Sequence, residues 1–318
     1  MAMNKVQFQK GLSEVAFQGL YGREEQCRAA LITWRWPEGF ECPVCGSGRH
    51  CIIKTRVGGV FQCDGCRTQT SVISGTIFAS TKLPLTTWFR AMYQMTQTKQ
   101  GISSLELARR LGVTQTTAWK MKHKLMQVML ERDANQQIGG RVEMDDAYLG
   151  GKRSGGKTGR GSPGKLPIIA AVETTPDGKA KRMKLRRIKS FTKDAVKKLA
   201  TQILKPDAHV VTDGLNCFPG IAAAGFTHTP VVVVKAAQNS EKLECFRCVN
   251  TILGNIKGAL LGTFRAVREK HSPRILAEFE YRFNRRFDLT TIIPRPAWAA
   301  DRTPPMPYRL LKLAGDGI

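Results

Sequence analysis

Apolar positions keep three different rhythms along this chain, and each predicts its own kind of element. Between residues 11 and 36, Leu12, Val15, Leu20, Cys27, Leu31 and Trp34 recur at loosely helical spacing until Pro37-Glu38-Gly39 ends the run. Residues 1–37 are accordingly expected to form a helical lead-in. The helical rhythm then lapses, and "FECPVCGSGRHCIIKTRVGGVFQCDGCRTQTSV" reads as short strands and turns within a segment spanning 38–76. It returns over residues 82–131. There Ser103 and Glu106 make a capping box, Leu105, Ala108 and Leu111 give one apolar side, and "LGVT" turns the chain. Thr114 can cap a second helix carrying Ala118, Met121, Leu125, Val128 and Met129 at helical spacing, with Lys120, Lys122 and Lys124 largely outside that stripe. This is the layout of a helix-turn-helix, although two amphipathic helices also suit an ordinary helical linker.

From residue 139 onward the period becomes that of strands. "GRVEMDDAYLGG", "LPIIAAVET" and "AKRMKLRRIKS" read as three strands joined by Gly- and Pro-containing turns. A helix near 192–204, a buried strand "HVVTDG", another strand "HTPVVVV" and a helix over 241–262 follow. Three strands followed by alternating helix and strand predict a mixed α/β sheet, assigned to a domain over 139–290 with a C-terminal tail over 291–318.

Charge changes this picture from fold to partner. With 50 Lys and Arg against 25 Asp and Glu, the 318-residue chain carries a formal charge of +25, which calls for a polyanion, and nucleic acid leads. Residues 152–205 concentrate 16 Lys and Arg against three acids, a face read as part of a DNA track. The longest aliphatic run, "PVVVV", is far too short to span a bilayer, and no signal-peptide pattern opens the chain, so the protein is expected to be soluble and cytoplasmic with no membrane partner.

Nine cysteines in such a chain point to metal ligation or buried thiols. Cys42-x2-Cys45 and Cys63-x2-Cys66 stand 17 residues apart, the spacing of a zinc ribbon in which each turn offers two thiolates to a tetrahedral Zn2+. Cys51 lies between the pairs and is expected in the core. Cys245-x2-Cys248 has no second pair and Cys217 is solitary, so these are read as packing, and His228 and His271 have no ligand-like spacing.

Two motifs compete for residues 141–158, "RVEMDDAYLGGKRSGGKT". Gly151-x4-Gly156-Lys157-Thr158 matches a phosphate-binding loop, but that loop needs a helix starting at Lys157-Thr158, and "TGRGSPGK" with its glycines and proline opposes one. The alternative starts from carboxylates. Asp145 and Asp213 are each expected at a strand end, where neighbouring strands can bring them to one sheet edge as oxygen ligands for magnesium. Asn250 and Lys257, seven apart, share one helix face and can reach the same site.

"VEMDDAYLGGK", "VVTDG" and "VNTILGNIK", followed by "EFEYRFNRRFD" and "RTPPMPYRLL", resemble the blocks of an insertion-sequence transposase group, the zinc-ribbon, Merlin-related ISXO-type lineage. The resemblance spans nearly the whole chain and implies an RNase H-like catalytic domain behind the zinc ribbon and helix-turn-helix. It implies Asp145, Asp213 and Asn250 as ligands for Mg2+ or Mn2+, Lys257 as the basic residue that follows, and Asp146 behind the ligands. Asn250 stands where the better-known DDE pattern has glutamate, and Glu244 is the nearest reserve carboxylate. The implied activity is recognition of terminal inverted repeats, strand cleavage and strand transfer, by a dimer or larger assembly on double-stranded DNA at the nucleoid. In the helix-turn-helix, Gln115, Thr116, Lys120 and Lys124 are the candidate DNA contacts. A transcription regulator with a dead catalytic domain and a structure-specific nuclease are the alternatives.

Overall fold

The computed structural model describes residues 11–54, 59–150, 165–231, 245–264, 267–289 and 292–313. The chain divides into two compact units, Met1–Arg132 with Arg285–Leu313, and Asp133–Asn284 with Ala314–Ile318. Residues 285–313, assigned from the sequence to the end of the catalytic domain and to a tail, thus group with the N-terminal unit.

In the first unit the helical lead-in is two helices, α1 (Glu14–Tyr21) and α2 (Glu24–Arg35). Ser13 caps the first by accepting from the Ala16 amide, and Gln26 reaches back to the Arg23 amide to start the second. Strands β1 (His50–Ile53), β2 (Val60–Cys63) and β3 (Gln69–Thr70) form an antiparallel sheet in that order. Phe40 and Phe61 stack at 5.2 Å between ring centres, Trp36 meets both edge-on, and Cys42 and Cys63 complete this small core. Cys51 is exposed, contrary to its expected place in the core. Its strand neighbour Ile52 is exposed as well, so the middle of β1 lies outside the small core on both faces.

Helices α3 (Leu85–Gln97), α4 (Ser104–Leu111) and α5 (Gln115–Asp133) follow. Ser103 accepts from the Glu106 amide, and Gly112 takes φ +68° to end α4, a left-handed conformation that suits glycine. The lysines of α5 depart from their expected positions outside the apolar stripe. Lys122 is 2% exposed and donates to the Ile102 carbonyl, while the Lys124 ammonium lies 2.9 Å from the Ile77 carbonyl and burial lowers its pKa. Long alkyl stems pack with the core while the ammonium finds a carbonyl that local structure leaves open. The unit is completed by α10 (Pro294–Arg302) and α11 (Tyr308–Leu313), with Arg302 donating to the Trp34 carbonyl at 2.8 Å.

The second unit is built on a five-stranded sheet of order β6-β5-β4-β7-β8. Its strands are β4 (Arg141–Leu149), β5 (Leu166–Thr174), β6 (Ala180–Arg187), β7 (His209–Thr212) and β8 (Thr227–Pro230). The first three pair antiparallel, and β4-β7 and β7-β8 pair parallel, so the expected mixed sheet is present. Strand β8 covers only the start of the "HTPVVVV" run, and Val232–Val234 lie outside the described residues. Val142, Met144, Ile169, Ala171 and Val210 face α6 (Lys193–Ile203) and α7 (Pro219–Ala223) in one apolar cluster. Alternation sends Glu143, Asp145 and Val211 to the opposite face, where α8 (Arg247–Thr263) lies on β4 and β5.

The edge strand β6 is locked to α9 (Ser272–Asn284) by charge. Glu280 accepts from Lys184 and Arg186, each at 2.7 Å, and from the Leu185 amide at 3.1 Å. Lys184 and Glu280 are 1% and 2% exposed, so neither charge has water to replace its partner. Glu280→Ala should therefore cost about 3 kcal/mol or more in chemical denaturation, against far less for the surface pair Lys179–Asp177. A loss below about 1 kcal/mol would mean that this network does not hold β6 in place.

Candidate active site and metal centres

Two groups of ligand side chains emerge from these folds. In the ribbon, the sulfurs of Cys42, Cys45, Cys63 and Cys66 all lie within 4.8 Å of one another. Cys42–Cys66 and Cys45–Cys63 are each separated by 3.5 Å, close to the roughly 3.8 Å edge of a tetrahedron with zinc–sulfur bonds near 2.3 Å. The turns also favour thiolates. The Thr68 hydroxyl and amide hold Cys66 down at about 6, and the Cys66 amide leads in lowering Cys63. The Ser47 amide pulls Cys45 the same way, but the sulfurs of Cys63 and Cys66 prevail and push it up to about 12. A bound cation would offset the mutual repulsion of four thiolates this close, and a set of four cysteines fits Zn2+.

The second group is carboxylate. Asp145, Asp146 and Asp213 each place an oxygen within 4.8 Å of the others. Asp145 does not end its strand as expected. It is the fifth of nine residues in β4 and pairs with Ala170 of β5. What ends is the neighbour: β4 and β7 pair in parallel only from Arg141↔His209 to Glu143↔Val211, and β7 stops at Thr212. Two residues further on, Asp145 and Asp213 come level on the same face, where β4 has lost its partner. Asp213 then accepts from the Leu215 amide at 3.1 Å as the chain turns away through Gly214 at φ +82°, a conformation glycine supplies without strain.

Asp146 belongs to the group itself instead of standing behind it. Its amide donates to Asp145 Oδ1 at 2.8 Å, and its carboxylate reaches the same space because no strand covers this part of the β4 edge. Burial first, then the charges of Asp146 and Asp213, push Asp145 up to about 6. The Asp146 amide and the Lys257 ammonium oppose that rise. Lys257 thus acts electrostatically on Asp145 from the solvent-facing side of α8. Asn250 lies on the same helix two turns earlier, also exposed, and its backbone N–H donates to the Phe246 carbonyl at 3.0 Å. Glu244 and the phosphate-loop match at Gly151, Gly156, Lys157 and Thr158 lie outside the described residues.

The sequence of this site matches known proteins in two places. Residues 137–284 match the ISXO2-like transposase domain, and residues 22–69 match the transposase zinc-ribbon domain. The chain belongs to the IS1595 transposase family. The transposase domain contains all three clustered aspartates, and the ribbon match contains all four clustered cysteines. No curated protein matches the transposase chain. No helix among its described residues is long and apolar enough to cross a membrane.

Of the candidate DNA contacts in the transposase, Gln115 and Thr116 are exposed at the start of α5, and Gln115 donates to Ser104 Oγ at 3.1 Å. Lys120 is half-buried with its ammonium 4.6 Å from the centre of the Tyr308 ring, and Lys124 is turned inward to Ile77. Cys248 is buried and lies 3.3 Å from the Gly178 carbonyl, which agrees with the packing role read for the Cys245-x2-Cys248 pair.

Both centres make measurable predictions. Cys63→Ser removes a buried ligand, so metal analysis should find zinc at background and limited proteolysis should cut within residues 38–76. Retention of stoichiometric zinc would sink the four-cysteine assignment. At the carboxylates, the Asp145 pKa is raised from 3.8 to about 6, so the metal-free native state holds an extra proton and loses stability as pH rises between those values. A divalent cation favours the ionised form and offsets that loss. Added Mn2+ should raise the melting temperature at about pH 7.5 and hardly at about pH 5, and Asp145→Asn should lose this pH-dependent response. Equal Mn2+ responses at both pH values would rule out cation binding at Asp145.

Proposed function

We propose that this transposase recognises the terminal inverted repeats of its element and performs metal-dependent strand cleavage and strand transfer. The observation that carries the reading is the convergence of Asp145, Asp146 and Asp213 within 4.8 Å in a domain of transposase sequence. Such a group of acids is unfavourable alone and fits a hard divalent cation, Mg2+ or Mn2+, better than any protein partner. The mixed five-stranded sheet, with Asp145 on β4 level with Asp213 just past the end of the parallel neighbour β7, supports an RNase H-like catalytic domain.

In this reading Asp145 and Asp213 are the charged ligands, Asp146 adds a third carboxylate, and Asn250 offers an amide oxygen from α8. A divalent metal held by these residues would supply activation of a water or DNA 3′-hydroxyl and charge stabilisation of the leaving oxygen. Lys257 holds a nearby phosphate by charge, and the half-buried setting of Asp145 keeps water from screening these interactions. The α4-turn-α5 pair acts as a helix-turn-helix that presents Gln115 and Thr116 to base edges, and the ribbon adds a second DNA contact. Exposed Lys189, Lys193, Lys197, Lys198 and Lys205 supply sequence-independent phosphate contacts. Two element ends in one reaction require a dimer or larger assembly.

Purified protein incubated with Mg2+, a linear DNA bearing candidate element ends and a target plasmid should yield joined products. Asp145→Asn should cut product formation by roughly a hundredfold or more while end binding in a gel-shift assay changes by less than about threefold. Asn250→Asp, which adds charge at nearly unchanged size, should retain more activity than Asn250→Ala. Full activity of Asp145→Asn would leave a DNA-binding regulator as the better account, and cleavage without joining would leave a nuclease.

A further inference from the structure

Helix α8 begins without a cap of its own. Its N-cap residue is Phe246, which makes no side-chain hydrogen bond to the first turn. The first amides of a helix need acceptors, and a buried one left unpaired is costly. Here the acceptor comes from the sheet. Glu143 Oε2 receives the buried Val249 amide at 3.0 Å, and Glu143 itself is 2% exposed. Its other oxygen accepts from Arg141 at 2.9 Å, and the same guanidinium donates to the Cys245 carbonyl at 3.1 Å and to Thr174 Oγ1 at 3.3 Å. One strand therefore grips the start of α8 twice, through Glu143 on an amide and through Arg141 on a carbonyl.

The residues at either end of this grip are those of the site. Glu143 precedes Asp145 by two positions on the same face of β4. Val249 precedes Asn250 and lies eight residues, about 12 Å of helix, before Lys257. We propose that Glu143 is a positioning residue that sets the catalytic helix against the catalytic strand, so that Asn250 and Lys257 meet Asp145 and Asp213. The negative carboxylate at the helix start also opposes the positive end of the helix dipole. The inference rests on the proposed metal-dependent chemistry for its effect on activity, but the grip itself is tested without DNA or metal.

Amide hydrogen exchange of the full chain gives that test. In Glu143→Ala the Val249 amide should exchange at least about tenfold faster, while Glu143→Gln, which keeps a weaker, neutral acceptor oxygen, should exchange only about threefold faster than native. In cleavage assays Glu143→Ala should raise the half-saturating Mn2+ concentration about tenfold and lower the rate ten- to roughly a hundredfold, with Glu143→Gln recovering most of both. Zinc content and end binding should be unchanged. Native exchange at Val249 in Glu143→Ala overturns the proposal. So does a loss of activity that follows the global melting temperature and is equal in both variants. Should Glu143→Ala not fold, Glu143→Gln decides alone: its weaker neutral acceptor should speed Val249 exchange about threefold, and an unchanged rate overturns the grip. If the unmodified protein shows no metal-dependent cleavage, the proposed chemistry fails while the exchange result still decides the role of Glu143.

Discussion

Three residue pairs between β4 and β7 decide whether this protein has a carboxylate site. The parallel register from Arg141↔His209 to Glu143↔Val211 brings Asp213 level with Asp145, and a slip by one residue would send one of them to the other face of the sheet. Equally necessary is that β7 stops at Thr212 while β4 runs on to Leu149. The uncovered edge leaves room for three carboxylates and for whatever they bind. The apolar cluster that seats α6 and α7 on the opposite face, with Val142, Met144 and Val210 at 0% exposure, holds this register in place.

Given that register, the electrostatics follow. Acids that repel one another and are drawn partly out of water hold protons more tightly, which is why Asp145 reaches about 6. The unfavourable arrangement is sustained by folding energy from elsewhere in the unit, including the buried Glu280 network on β6. The zinc ribbon solves the same problem locally. Its sulfurs also oppose one another: amides and a hydroxyl from the second turn lower Cys63 and Cys66, while the neighbouring sulfurs keep Cys45 raised, and all of these groups belong to the ribbon itself.

A borrowed carboxylate recurs in both units. Helix α3 starts after Pro84, whose ring carries no hydrogen-bond acceptor, and its Leu85 and Thr86 amides are taken by Glu24 of α2 at 3.0 and 3.2 Å. Helix α8 starts after Phe246 and its Val249 amide is taken by Glu143. In each case a helix with an apolar N-cap is oriented by another element instead of by its own sequence. Such a tie fixes position as well as satisfying a donor, because the acceptor is anchored in a strand or helix with its own packing.

What the sequence by itself determined is whatever depends on neighbours a few residues away. The Cys-x2-Cys pairs predicted the sulfur cluster because each turn sets two ligands by local geometry, and the period-two runs predicted β4, β5 and β6 because alternation is intrinsic to a strand. Ser103 and Gly112 likewise bounded α4 from within. Tertiary structure decided the rest. Asp145 was legible as an acid on a strand, but its mid-strand place depends on β5 pairing with β4 as far as Leu149, and the entry of Asp146 depends on the edge that β7 leaves open. Lys122 and Lys124 looked like surface cations because sequence shows charge and not which carbonyls lie within reach of a long side chain. Glu143 carried no local signal at all, since its partner amide lies 106 positions away. Interactions of that separation have no period to read, and only folding brings the two ends together.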